Sequence, residues 1–346
     1  MQKSNTPPLA LTMGEPAGIG PELAIKAWLK RDIFEIPPFV LIAGENQMIK
    51  CSNQLGYDVV CHTVNNPAEA TGVFAHALPL LALEEDCNVS PGQLDAAAAP
   101  CIIAAIKSAV DLALSAEVCG IVTNPVHKKN LYNSGFSFPG HTEFLAHLSN
   151  PTGEAPRAVM MLQGGGLRTV PVTIHMALAQ VPAALTVALI VETAEIVHGD
   201  LIRCFGIEKP RLIVAGLNPH AGEEGALGLE DMTIIKPAVE MLTSRGLDIR
   251  GPLPADTMFH ESARTAYDVA LCMYHDQALI PVKTLGFDTG VNITLGLDFI
   301  RTSPDHGTAL DIAGQGNADP RSLIHALKCA AQMAQCKQSY SRNSGV

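Results

Sequence analysis

The chain alternates short apolar runs with helical patterns over most of its length, and that alternation restricts the possible folds more than any other feature. Leu9 to Thr12, Phe39 to Ala43, Val59 to Thr63, Ala77 to Leu83, Val118 to Thr123, Arg211 to Ala215 and Val269 to Tyr274 read as strands. Leu23 to Leu29, Asn46 to Leu55, Gln93 to Ser115, Pro182 to His198 and Thr233 to Arg245 read as helices between them. Strands that are apolar almost throughout are buried on both faces, so helices must cover a largely parallel sheet. One interruption stands out: Arg157 to Leu162 and Val170 to Ile174, joined by Gln163-Gly164-Gly165-Gly166, read as a hairpin. A length of 346 residues suits two domains or one large α/β domain. With 47% hydrophobic but only 5% aromatic residues, Ala, Val, Ile and Leu build the core.

Several function classes drop out early. A formal net charge of -11 argues against nucleic acid as a general partner, because phosphate backbones need clustered Lys and Arg. Met1 to Pro8 is short and polar, so no secretory leader is expected. No apolar run approaches ~20 residues, so no membrane span is expected either. Nine cysteines are scattered without a C-x-x-C pair, several inside apolar runs, as in reduced thiols of a cytoplasmic protein. The polar end, Lys337 to Val346, reads as a frayed tail.

The chemistry concentrates between Tyr267 and Gly314. An apolar run there delivers His275 and Asp276, then Lys283, Asn292 and Arg301 follow, and then Ser303-Pro304-Asp305-His306-Gly307-Thr308. Two earlier histidines, His175 and His220, also follow apolar strands, with room between each pair for a helix and a return strand. Strand ends carry the ligand sites of open α/β sheets, and three neutral imidazoles leave a Zn²⁺-like ion one open position. In a chain with twelve histidines, spacing alone leaves a shared metal site and unrelated loop histidines both open. Phe138-Pro139-Gly140-His141-Thr142-Glu143 puts His141 and Thr142 at a helix start, suited to phosphate, with Thr142 a candidate cap. Met13 to Glu22 is a glycine-rich turn between strand and helix, read equally as tight packing or an anion site.

The segments MGEPAGIGPE, TNPVHK, FPGHTE, TIHMAL, GLNPHAGE, GPLPADT, YHDQALIPVK and TSPDHGTALDIAG resemble those of the 4-hydroxythreonine-4-phosphate dehydrogenase family of pyridoxal 5'-phosphate biosynthesis. The resemblance runs over nearly the whole chain. It implies two α/β/α lobes around a cleft, like isocitrate and isopropylmalate dehydrogenases. One lobe would be discontinuous, 1–130 with 290–346 on the cofactor side, and the other would be 131–289, with the metal ligands and dimer contacts. It also implies a homodimer whose site is shared between subunits. By position, His175, His220 and His275 correspond to the metal ligands, and His141, Thr142, Lys283, Asn292 and Arg301 to the substrate contacts. The run from His306 and Gly307 through Asp311 to Gly314 looks like the nucleotide-binding loop of the wider group.

The implied reaction oxidises 4-phosphooxy-L-threonine with NAD or NADP to 2-amino-3-oxo-4-phosphooxybutanoate, which decarboxylates to 3-amino-2-oxopropyl phosphate. A Zn²⁺, Mg²⁺ or Co²⁺ ion would act as Lewis acid. Asp256 and Asp276 are each either the general base or a partner orienting an imidazole. Three other readings fit the same residues: a paralogue acting on threonate or erythronate 4-phosphate, a phosphate acyltransferase, and a non-catalytic phosphate- or metal-binding module.

Overall fold

The computed structural model describes residues 6–133, 136, 138, 140–151 and 153–344. Its strands are β1 (Leu9–Thr12), β2 (Phe39–Ala43), β3 (Cys61–Thr63), β4 (Leu78–Ala82), β5 (Ile121–Thr123), β6 (Val159–Gly164), β7 (Leu167–Pro171), β8 (Arg211–Ala215), β9 (Asp248–Leu253), β10 (Val269–Cys272), β11 (Val291–Leu295) and β12 (Arg301–Pro304). The chain is α/β and divides by backbone contacts into two units, Met1–Ala158 with Leu297–Ala334, and Val159–Gly296 with Gln335–Val346. By this division, 131–158, 290–296 and 335–346 fall on the other side from the boundaries expected above.

In the first unit the strand order is β3-β4-β2-β1-β5-β12, each neighbouring pair parallel. β1 and β2 are buried at every position, which is why they read as unbroken apolar runs. The helix Ala99–Leu114 packs on this sheet through Ala99, Ile102, Ala105, Ile106, Ala109 and Val110, all buried. By length and composition alone Ala96–Leu114 could cross a membrane, but its buried positions pack on the sheet as those of a core helix do. Lys107 and Asp111 interrupt its apolar run and conceal that length.

In the second unit the order is β11-β6-β7-β10-β8-β9. β6 pairs antiparallel with both β7 and β11, whereas β7, β10, β8 and β9 run parallel. The hairpin turn uses Gly165 (φ 56) and Gly166 (φ 76), a left-handed pair that β-branched residues resist. A Cβ on Gly165 would also meet the Leu285 backbone O at 2.8 Å. The core here gathers Leu162, Leu167, Ile213, Ala270, Leu279 and Val282, the Leu, Ile and Val side chains each contributing roughly 1.5–3 kcal/mol on burial.

One helix stood outside the sequence reading, and one expectation needs correction. The stretch after His275 forms a helix, His275–Gly286, with Pro281 inside it. Ala278, Leu279 and Val282 are buried, and the helix packs on β6 and β7, which outweighs the backbone bond lost at the proline. Lys337 to Ser344 is the end of the helix Arg321–Ser344, not a frayed tail. Buried Ala330, Met333 and Ala334 anchor that helix just before the polar stretch.

Candidate active site

β7, β10 and β8 lie side by side and parallel, so their carboxyl ends open on one edge of the second unit's sheet. That edge is where ligand sites form in open α/β sheets. His175, His275 and His220 follow these three ends respectively. Beyond β7 the chain stays in register with β10: Val172 N–H donates to Cys272 O (2.8 Å), and the Thr173 hydroxyl donates to Met273 O (2.7 Å). This pairing brings the rings of His175 and His275 to 5.7 Å between centroids. They line a cavity of about 370 Å³ with Thr173, Met176, Tyr274 and Asp276.

His275 opens the helix His275–Gly286, and its Nδ1 lies 2.7 Å from Asp276 Oδ1. That bond occupies one ring nitrogen and leaves Nε2 for a ligand, the carboxylate–histidine arrangement found behind metal ligands. Asp256, by contrast, sits exposed on the short turn Ala255–Thr257 and is not among the residues lining the cavity.

His220 begins a left-handed stretch. His220, Ala221, Glu223 and Glu224 have φ of 55, 54, 45 and 55°. His175 is left-handed too, at φ 45°. Each such residue costs about 1–2 kcal/mol, and the conformation persists only where the surroundings impose it. Asp231, 1% exposed, imposes it at His220. Its carboxylate accepts from Leu217 N–H (2.8 Å), Asn218 N–H (3.1 Å) and Asn218 Nδ2 (2.9 Å). Gln277 ties this loop to the next strand end, accepting from Met273 N–H (2.6 Å) and donating to Gly216 O (2.8 Å). Sequence reading missed both residues. The only signal was an acid and an amide beside otherwise apolar helix positions. Asp231→Ala would strand two backbone donors and is expected to destabilise the protein by about 3 kcal/mol, read as a lower denaturant midpoint. A change below a few tenths of a kcal/mol would show that Asp231 does not hold the loop.

Among the described residues, no group of three His, Cys, Asp or Glu gathers closely enough to hold a metal ion within one chain. His175 and His275 come together, and His220 stands outside a three-residue group. The donors still suit a divalent ion, being two adjacent imidazoles of which one is backed by a carboxylate.

Of the expected substrate residues, Lys283 is half-buried on the helix His275–Gly286, and Asn292 lies on β11 opposite Leu162. Lys283 Nζ stands 5.8 Å from the Phe287 ring centroid. The others belong to the first unit. Arg301 starts β12, is 5% exposed, and donates to the Thr123 hydroxyl from Nε (3.1 Å) and Nη2 (2.7 Å). Burial pushes its guanidinium down to about 10. His141 opens the helix His141–Ser149, and its Nε2 is buried without a hydrogen-bond partner. Burial, with Arg301 and Lys128 nearby, holds this imidazole well below the usual histidine range, so it is neutral. The helix begins at His141 with Gly140 as N-cap and no side-chain cap bond, so Thr142 is not the cap expected.

The loop from His306 to Gly314 is tied to the glycine-rich turn. Ile19 N–H donates to Thr308 O (3.0 Å), and a Cβ on Gly18 would lie 2.7 Å from that oxygen. Gly307 and Asp311 are exposed, and Gly314 sits at φ 73°. His306 Nδ1 is 3.0 Å from Gly307 O. Within the turn itself Glu15 is fully buried, and burial raises its carboxyl although Asn130 Nδ2 donates to it at 3.2 Å.

A sequence profile of the family described as pyridoxal phosphate biosynthetic protein PdxA matches residues 35–330. The chain belongs to the PdxA family. Among its relatives, the 4-hydroxythreonine-4-phosphate dehydrogenase of Methylorubrum populi is 54% identical over 335 residues, covering 96% of each chain. That of Xanthobacter autotrophicus is 50% identical over 340 residues, covering 98% of this chain and 97% of the relative. Among solved structures, the 4-hydroxythreonine-4-phosphate dehydrogenase of Klebsiella pneumoniae superposes with a TM-score of 0.84 at 36% identity, over 95% of this chain and all of that one. PdxA membership thus spans both units and every segment that carries a candidate site residue.

Proposed function

We propose that this chain oxidises 4-hydroxythreonine 4-phosphate with NAD or NADP, in pyridoxal 5'-phosphate biosynthesis, and that the β-keto acid formed then loses CO₂. The observation that carries this reading in the structure is the adjacency of His175 and His275 at neighbouring strand ends. When bound, a divalent ion supplies Lewis-acid polarisation of the substrate alcohol, and nicotinamide accepts the hydride. His175 and His275, with His220, would hold the ion, and Asp276 fixes the ring of His275. Lys283 and Arg301 neutralise the phosphate, Arg301 with its planar fork. His141, Thr142 and Asn292 orient the substrate by neutral hydrogen bonds. Asp276, in the cavity, and Asp256, outside it, remain the two candidate proton acceptors. The loop carrying His306, Gly307, Asp311 and Gly314 faces the nucleotide.

A homodimer fits the surface of the second unit. Leu178, Leu229, Ile280 and Phe287 are 67, 61, 63 and 75% exposed, apolar surface that a second copy would cover. By the family resemblance, that second copy would also share the metal site. Nine free cysteines support a reducing, cytoplasmic setting.

The test is NAD(P)H absorbance with purified protein, 4-hydroxythreonine 4-phosphate and a panel of divalent metals, with threonate 4-phosphate assayed alongside. Metal-dependent reduction of the nucleotide with the amino substrate is expected. Much faster turnover of threonate 4-phosphate would overturn the substrate, and full activity after chelation would overturn the metal.

A further inference from the structure

We infer that Cys87 and Cys101 form a thiol pair that hydroperoxides oxidise to an intramolecular disulfide. Their sulfurs lie 3.4 Å apart, with the Cys87 thiol donating to Cys101. Cys101 stands in the first turn of the helix Ala99–Leu114, where the helix dipole favours an anion. The Cys87 bond holds Cys101 below the usual thiol range and pushes Cys87 up in turn, whereas Cys51, Cys61, Cys119, Cys204 and Cys272 are all pushed up by burial. Cys101 is 1% and Cys87 8% exposed, and Cys87 lines an open cleft of about 620 Å³ with Asn46, Lys50, Asp86 and Asn88. A small peroxide therefore reaches the pair from the Cys87 side.

With the Cys87 thiol donating to it, Cys101 is the thiolate. Its sulfur attacks one peroxide oxygen, an S–O bond forms, the O–O bond breaks, and hydroxide leaves and takes up a proton as water. The partner thiol then attacks the sulfenic sulfur. The S–S bond forms, the S–O bond breaks, and a second water carries off the remaining proton. Two thiols lose two electrons in all, and the peroxide is reduced to two waters. The bridge fixes the loop after β4 onto the helix Ala99–Leu114. Gly92 of that loop already donates to Ala17 O (2.8 Å), so the modification bears on the glycine-rich turn. The inference is independent of the dehydrogenase reading.

Reduced protein is treated with hydrogen peroxide, its free thiols are alkylated, and its peptides are mapped by mass spectrometry. Two of the nine thiols should disappear first, in a Cys87–Cys101 bridged peptide, and dithiothreitol should restore them. In Cys87→Ser, Cys101 should instead accumulate a sulfenic acid captured by a dimedone probe. Earlier loss of the less buried Cys61 or Cys336, or sulfinate without a bridge, would overturn the inference. The wild-type map decides the matter alone if the variant does not fold.

Discussion

His275→Ala is expected to lower turnover about 10³-fold, because the several kcal/mol a Lewis acid contributes to charge stabilisation converts to that factor. The fold should survive. His275 is partly exposed at the start of its helix, and the residues that anchor that helix, Gln277, Ala278, Leu279 and Val282, are untouched. Metal affinity is the direct readout: the Co²⁺ spectrum or calorimetric binding should weaken in step with turnover. Asp276→Asn keeps the ligand but removes the carboxylate on Nδ1, so roughly a 10- to 100-fold loss is expected. Near-normal turnover in His275→Ala, with an unchanged melting temperature, would remove this histidine from the site.

Arg301→Gln should act on binding instead. Charge-assisted hydrogen bonds to a phosphate contribute about 1.5–3 kcal/mol each, so a rise in KM of roughly 100-fold is expected, with a smaller change in kcat. Arg301 is buried against Thr123, so lysine, with no fork to share between the hydroxyl and a phosphate, should not restore binding. The KM for NAD or NADP serves as the internal control. An equal rise for both substrates would place Arg301 in the architecture of the first unit and not at the phosphate.

Much of this was legible in the linear chain. The strands at 9–12, 39–43 and 211–215 lie where their apolar runs placed them, and the hairpin forms at its glycines. The helix His275–Gly286 was not legible, because Pro281 is a local signal to stop and only packing on β6 and β7 overrides it. The frayed tail and the Thr142 cap failed similarly. A polar stretch can ride on an anchored helix, and a backbone glycine can cap where no hydroxyl does.

The residue types of the site, and their position after apolar runs, were written in the order of amino acids, because a strand that is buried on both faces needs an unbroken apolar run and the chain turns polar where it leaves the sheet. Folding in three dimensions decided the rest. It put β7, β10 and β8 side by side, set His275 near His175 but left His220 outside a three-residue group, and gave His175 and His220 left-handed backbones. It also turned Asp231 and Gln277 into the supports of those loops. These outcomes depend on partners far apart in the chain. Local periodicity reports which face of an element is buried, and it carries no information on what that face is buried against.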